Sequence, residues 1–155
     1  MGILTTAILL LHPLVACMAL RWMWLQYGWK KKSKEMKGEE RKNELERHEK
    51  NGERLLQLAI GTVLLAFFAK GIVALIEDED IMQALVPKSL HGWTGPFGVS
   101  LLWIMARWGR KTRNLRIKKE SFHIPKTKHG RAADILIACM FLHAFLGFLY
   151  LFTVL

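Results

Sequence analysis

The sequence predicts an all-α fold, a bundle of four transmembrane helices with both termini on the outer side of the bilayer. Three observations predict it. Apolar residues gather in four blocks, about 3–27, 55–76, 89–106 and 132–155, each close to the ~20 residues a helix needs to cross a bilayer core. Of the 23 Lys and Arg, 20 fall in the two segments 28–54 and 107–131. These become the first and third loops if the helices alternate, and the positive-inside rule puts both on the cytoplasmic side or its plastid equivalent. The second loop has the opposite sign, with Glu77, Asp78, Glu79 and Asp80 against Lys88. Strands are not expected, because no strand pattern is present and a span in lipid must satisfy its own backbone groups. The whole chain, 1–155, reads as one integral membrane domain.

The first span starts almost at Met1 and ends in Trp22, Trp24, Tyr27 and Trp29 followed by Lys30, Lys31 and Lys32, the aromatic-then-basic order of a cytoplasmic interface. Leu14-Val15-Ala16-Cys17 looks like a lipoprotein cleavage box. No basic residue precedes it and the apolar run continues past it, so cleavage is not expected. Cys17 and Cys139 lie inside spans and read as small apolar residues rather than as a disulfide or a metal framework.

The loop 28–54 mixes charges at helical spacing, as in Lys42/Glu46 and Glu46/Lys50, and is expected to extend the second span into water as a solvated arm without a partner. Pro87, Gly92 and Gly95-Pro96 punctuate the chain around the start of the third span, where a short re-entry is expected. The basic stretch 107–131, with Glu120 as its one acid and Pro125 as a break, leads to the fourth span. Its charge invites an anionic surface, above all lipid headgroups at on the order of 1 kcal/mol per basic residue. A nucleic-acid partner is not expected.

Ionisable and polar residues inside the spans are costly, and mark candidate sites. They are His12, Arg21, Lys70, His91, His129, Asp134 and His143, with Gln26 and Gln57 beside them. By depth, His12, His91, Lys70 and His143 fall toward the outer side; Arg21, Gln57, His129 and Asp134 fall toward the inner side. Two neutral imidazoles facing each other across a bundle supply the two Nε2 lone pairs that complete a b-type haem iron, and bundle cores commonly house such cofactors. A single intramembrane histidine is more simply a hydrogen bond between helices. His129 and His143 are 14 residues apart, nearly four turns, so they share a face at levels ~21 Å apart. Lys70 and Arg21 suit carboxylates at the outer and inner levels, although each could instead snorkel. Asp134 reads as interfacial, paired with Arg131 or Arg21.

These residues resemble the cytochrome b561 family, membrane dihaem proteins that pass electrons across a bilayer. His12-Pro13 with its apolar run looks like the family's His-Pro ligand helix. Leu90-His91-Gly92-Trp93-Thr94-Gly95 looks like its Leu-His-Ser-Trp-x-Gly motif, and His129, 18 residues before Gly147, matches the ligand of the fourth helix. The resemblance implies that His12 and His91 hold one haem together. The fourth match fails, since Gln57 stands where the family has a histidine, and His48 lies nine residues upstream in a charged stretch. One outer haem b is therefore expected; a second, at His129, lacks its partner histidine because position 57 is Gln57. The chain also looks like a largely uncharacterised four-helix family of cyanobacteria and chloroplasts, which implies a thylakoid or plasma membrane.

Two functions follow as expectations. The first is a b-haem electron-transfer protein or haem-bearing anchor subunit, with lipids, other subunits of a membrane complex and a quinone as partners. The second is a non-redox structural or assembly subunit, in which a histidine binds chlorophyll magnesium or nothing. A self-contained enzyme is not expected, because there is no P-loop and no room for a soluble catalytic domain.

Overall fold

The computed structural model describes residues 2–153, which form six helices and no strand: α1 Ile3–Tyr27, α2 Trp29–Lys32, α3 Gly38–Ile76, α4 Ile81–Leu85, α5 Leu90–Ile117 and α6 His123–Leu151. The last two residues of the fourth apolar block lie outside the described residues. Among the described residues, three helical segments are long and apolar enough to cross a membrane: Ile3–Lys32, Gly38–Ile76 and His123–Leu151. The fourth long helix, α5, is not among them. Gly92, Thr94, Gly95, Pro96, Gly98 and Ser100 dilute the apolar residues of its first half.

The four long helices pack in a closed order, α1 on α3, α3 on α5, α5 on α6 and α6 back on α1. Each contributes to one small core of Met23, Leu55, Leu56, Leu102 and Leu136. Most other large apolar side chains point outward, among them Leu14, Met18, Phe68, Leu75, Phe97 and Phe145. An outer surface this apolar is what a multi-pass membrane protein presents to lipid and what a soluble protein avoids.

The 39 residues of α3 span about 58 Å, roughly twice the hydrocarbon thickness, so its charged first half projects beyond the apolar part. Glu39 and Glu40 sit in its first turn, where carboxylates complement the helix dipole. The arm is helical as expected, but it is not without a partner. α5 also continues past its apolar part to Ile117, and the two extensions run side by side. Arg110 binds Glu53 through two hydrogen bonds of 2.7 and 2.6 Å, while Glu49 accepts from Arg116 at 2.8 Å and lies 3.5 Å from Arg113. Opposite charges meet because the acids of α3 and the bases of α5 recur at helical spacing on facing sides.

Asp134 is paired differently from expectation. Lys30 Nζ donates to it at 2.6 Å and Tyr27 Oη at 2.8 Å. Arg21 is exposed. The chain stays helical through α2, which carries Lys30 to the start of the apolar part of α6, whereas Arg21 lies nine residues earlier on an outward face.

Pro125 is no break. It lies in the first turn of α6, where a missing N–H is tolerated, so the helix starts nine residues before residue 132. Between α3 and α5 the chain folds back: Asp80 caps α4 by accepting from Met82 and Gln83, and Leu85 returns to the level of Gly71. Ser89 Oγ then accepts from Gly92 N at 3.1 Å and starts α5. That cap places His91 in the first turn of its helix, beside residues 143–147 of α6. α5 thus begins about 6–12 Å short of the end of α6.

Candidate functional site

His12, His91 and His143 come together from α1, α5 and α6, with one potential ligand atom of each within 4.8 Å of the others. The rings of His12 and His91 face edge to plane at 6.0 Å between centroids. His143 stacks on His91 at 4.2 Å.

Each ring is oriented through Nδ1. His12 Nδ1 is 3.1 Å from Thr62 O, and His91 Nδ1 is 3.1 Å from His143 O. A carbonyl oxygen only accepts, so both rings carry their proton on Nδ1 and leave the Nε2 lone pair free. Thr94 extends the pattern. Its hydroxyl donates to His91 O at 3.0 Å and lies 2.9 Å from His143 Nδ1. With its one proton directed at the carbonyl, it accepts from His143 Nδ1, which leaves that Nε2 free as well. A backbone or hydroxyl partner on the far nitrogen is the arrangement that orients imidazoles as metal ligands. Gly147 makes room: a Cβ there would fall 2.6 Å from His91 Cε1, closer than real atoms approach.

A second pair lies at the other end. His129 Nδ1 is 3.1 Å from Met105 O, so the same logic gives it a free Nε2. Its ring stands perpendicular to that of His48 at 6.3 Å between centroids. Trp29 stacks on His48 at 5.2 Å, and Gln26 Nε2 donates to His48 O at 2.6 Å. His48 Nδ1 is buried and has no hydrogen-bond partner among the described residues. His48 lies on the arm, seven residues before the apolar stretch. Burial, and then the nearby His129, push its imidazole down to about 4, so it is neutral at pH 7. Close packing at Gly109, where a Cβ would come within 3.3 Å of the His129 ring, parallels Gly147 at the other level.

His129 therefore faces His48 and not Gln57, which is exposed. Nine residues are two and a half helical turns, so positions 48 and 57 point to opposite sides of α3. The signal that identifies His48 is a spacing of 14 residues that recurs on all four long helices. It separates His12 from Gln26, His48 from Thr62, His91 from Met105 and His129 from His143, and in each pair one member acts at each level. At ~1.5 Å per residue the two levels are ~21 Å apart. Leu55 and Leu136, midway on their helices, place the core between them.

Lys70 is half-buried on α3, and neither it nor Arg21 makes a hydrogen bond or ion pair among the described residues. Neither is therefore tied to a histidine level by a direct contact.

Fold and surface define the class, an all-helical protein of multi-pass membrane type with histidines clustered between its helices. No protein-family model, no curated protein and no solved structure matches the chain.

Proposed function

We propose that the chain is a four-span membrane protein, with α5 as the fourth span and both termini outside, that carries b-type haem and transfers electrons. His12 and His91 would hold an outer haem, and His48 and His129 an inner one. The resemblance of the His12-Pro13 and Leu90-His91-Gly92-Trp93-Thr94-Gly95 motifs to cytochrome b561 proteins points the same way.

The observation that supports the reading most is the separation of the paired rings. Two imidazoles sharing one metal, with metal–nitrogen bonds of about 2.0–2.1 Å and a ring radius just over ~1 Å, would have centroids up to ~6.3 Å apart. The two pairs measure 6.0 and 6.3 Å. Hydrogen bonds at Nδ1 leave Nε2 free on His12, His91 and His129, and the low pKa of His48 keeps its ring neutral and able to ligate.

Bound iron supplies reversible one-electron transfer between its ferrous and ferric states. The protein's own part is to fix ring orientation through the carbonyls of Thr62, His143 and Met105, to exclude water with the core between the levels, and to space the levels. Lys70 is the candidate for charge compensation at the outer level.

The test is a reduced-minus-oxidised absorption spectrum of the chain purified in mild detergent, with haem counted per chain. Two haems are expected, falling to one in both His91→Ala and His129→Ala. One haem in the wild type, lost only in His91→Ala, would restrict the reading to the outer site. No haem in material purified with its native partners would overturn it in favour of a structural or pigment-binding subunit.

A second reading has its own observation. His12, His91 and His143, with one potential ligand atom of each within 4.8 Å of the others, form the donor set of a tri-histidine metal site. One equivalent of zinc or copper by elemental analysis, without haem, and lost in His143→Ala, would establish it.

A further inference from the structure

The outward face of α5 changes character abruptly at Arg107. Below it, Trp103 is 46% exposed and Ile104 39% exposed. Above it, Arg107, Lys111, Asn114 and Lys118 are all exposed. At 100° per residue these positions fall within a stripe about 100° wide, so apolar and basic residues form one continuous strip along the helix. Arg110 and Leu115 edge the basic half, and together these six residues from 107 to 118 line a shallow groove.

Of the four basic residues that line this groove, only Arg110 is paired internally. Glu49 and Glu53 of the arm engage Arg110, Arg113 and Arg116, which turn progressively away from the stripe toward α3. Arg107, Lys111 and Lys118 have no acidic partner among the described residues. Arg107 lies over the Trp103 ring at 5.0 Å, a cation–π contact that holds the guanidinium at the edge of the apolar zone. Lys111 follows one turn later, about 6 Å farther along the axis.

A ligand for such a strip must be anionic where it meets Arg107 and Lys111 and apolar where it meets Trp103 and Ile104. That is the description of a lipid. An acidic protein would meet the polar end of the molecule, whereas this strip lies on its side wall and continues into the surface that faces acyl chains. We propose that the Arg107–Lys111 face of α5 is a binding site for the phosphodiester headgroup of an acidic glycerophospholipid, with Trp103 against its acyl chain. The site rests on the membrane placement of the chain and is independent of haem.

The test is native mass spectrometry of the full chain released from mixed micelles of phosphatidylglycerol and phosphatidylcholine in equal amounts. The wild type is expected to retain phosphatidylglycerol preferentially. Arg107→Gln/Lys111→Gln is expected to lower that preference on the order of 10-fold or more. Lys126→Gln/Lys128→Gln, which removes the same charge off the strip, is expected to leave it intact, as is the charge-conserving Arg107→Lys/Lys111→Arg. Inorganic phosphate at equal concentration is expected not to displace the lipid. Equal loss in both neutralising variants would reduce the effect to diffuse attraction and overturn the site. So would the absence of any preference in the wild type, or displacement by free phosphate.

Discussion

Replacing Gly147 by alanine tests the outer site through a residue that offers no ligand atom of its own. The new Cβ would lie 2.6 Å from His91 Cε1, 3.0 Å from Nδ1 and 3.3 Å from Nε2. Carbon contacts settle near ~3.5–4.0 Å, so the ring must move by about 1 Å. It is stacked on His143 at 4.2 Å and held at Nδ1 by the carbonyl of the same residue at 3.1 Å. Overpacking of this kind costs about 1–3 kcal/mol. Loss of the hydrogen bond adds about 0.5–1.5 kcal/mol, and the better helix propensity of alanine returns at most ~1 kcal/mol. The net expectation is a loss of roughly 1–3 kcal/mol, with displacement of the His91 Nε2 lone pair. Gly61→Ala is the companion variant, since a Cβ there meets nothing within 4 Å and is expected to be neutral or slightly stabilising. The assay is thermal unfolding in detergent by tryptophan fluorescence, together with haem content and the reduced spectrum. Gly147→Ala is expected to melt below both wild type and Gly61→Ala and to lose or perturb one haem signal while the other persists. Equal stability of the two glycine variants, with unchanged spectra, would refute the placement of His91 against α6.

Thr94→Val keeps side-chain shape but removes the hydroxyl between His91 O and His143 Nδ1; a loss of about 1–2 kcal/mol is expected, with His143 rather than His91 reoriented, checked by a changed imidazole nitrogen NMR signal of His143 alone. In the arm, hydrogen bonding to Arg110 holds the Glu53 carboxyl below its ordinary range. The pair's contribution is therefore present above the unfolded carboxylate pKa and is lost as pH falls through the lowered folded value. Because the pair is largely exposed, Glu53→Gln is expected to cost under ~1 kcal/mol and to show as faster amide exchange in residues 38–54 at pH 7, the difference vanishing in acid. His48 gives the larger pH effect. With its folded pKa near 4 against an ordinary 6.5, the unfolded chain binds the extra proton between those values. Haem-free protein is thus expected to lose stability as pH falls from 6.5 to 4, by at most about 3 kcal/mol. His48→Gln should flatten that slope in a melting-temperature series; an unchanged slope would show that His48 is not buried against Trp29 and His129.

Legibility in the sequence followed the range of the physics involved. Three membrane-type helices, the helical arm and the candidate ligands His12, His91 and His143 could all be read directly. Span length and aromatic-basic borders are properties of contiguous residues, and a histidine in an apolar run stands out without a partner being known. The expected depths of His12, His91 and His143 were enough to suggest one level. Pairing was less legible. His129 looked unpartnered because the family resemblance puts its mate at position 57, which is Gln57 in this chain, whereas helix phase turns that position outward and presents His48, which stands among charged neighbours. Asp134 was given to arginines near it in depth, and the continuation of α1 into α2 delivered Lys30 instead. The arm looked solvated because each of its charges could be balanced locally, yet α5 extends far enough to offer Arg110, Arg113 and Arg116 as better-placed partners.

The sequence by itself determined which segments are helical and apolar, where the charge lies, and that imidazoles enter an environment where a polar group needs a reason to be. Tertiary structure alone decided that four helices close into one ring, that Nδ1 of three histidines meets a backbone carbonyl, and that the 14-residue interval on each helix aligns into two levels. Helix formation and lipid partitioning are set by local backbone and side-chain chemistry. Which face of one helix meets which face of another depends on rotation about each axis, and a difference of two and a half turns separates an exposed glutamine from a buried histidine.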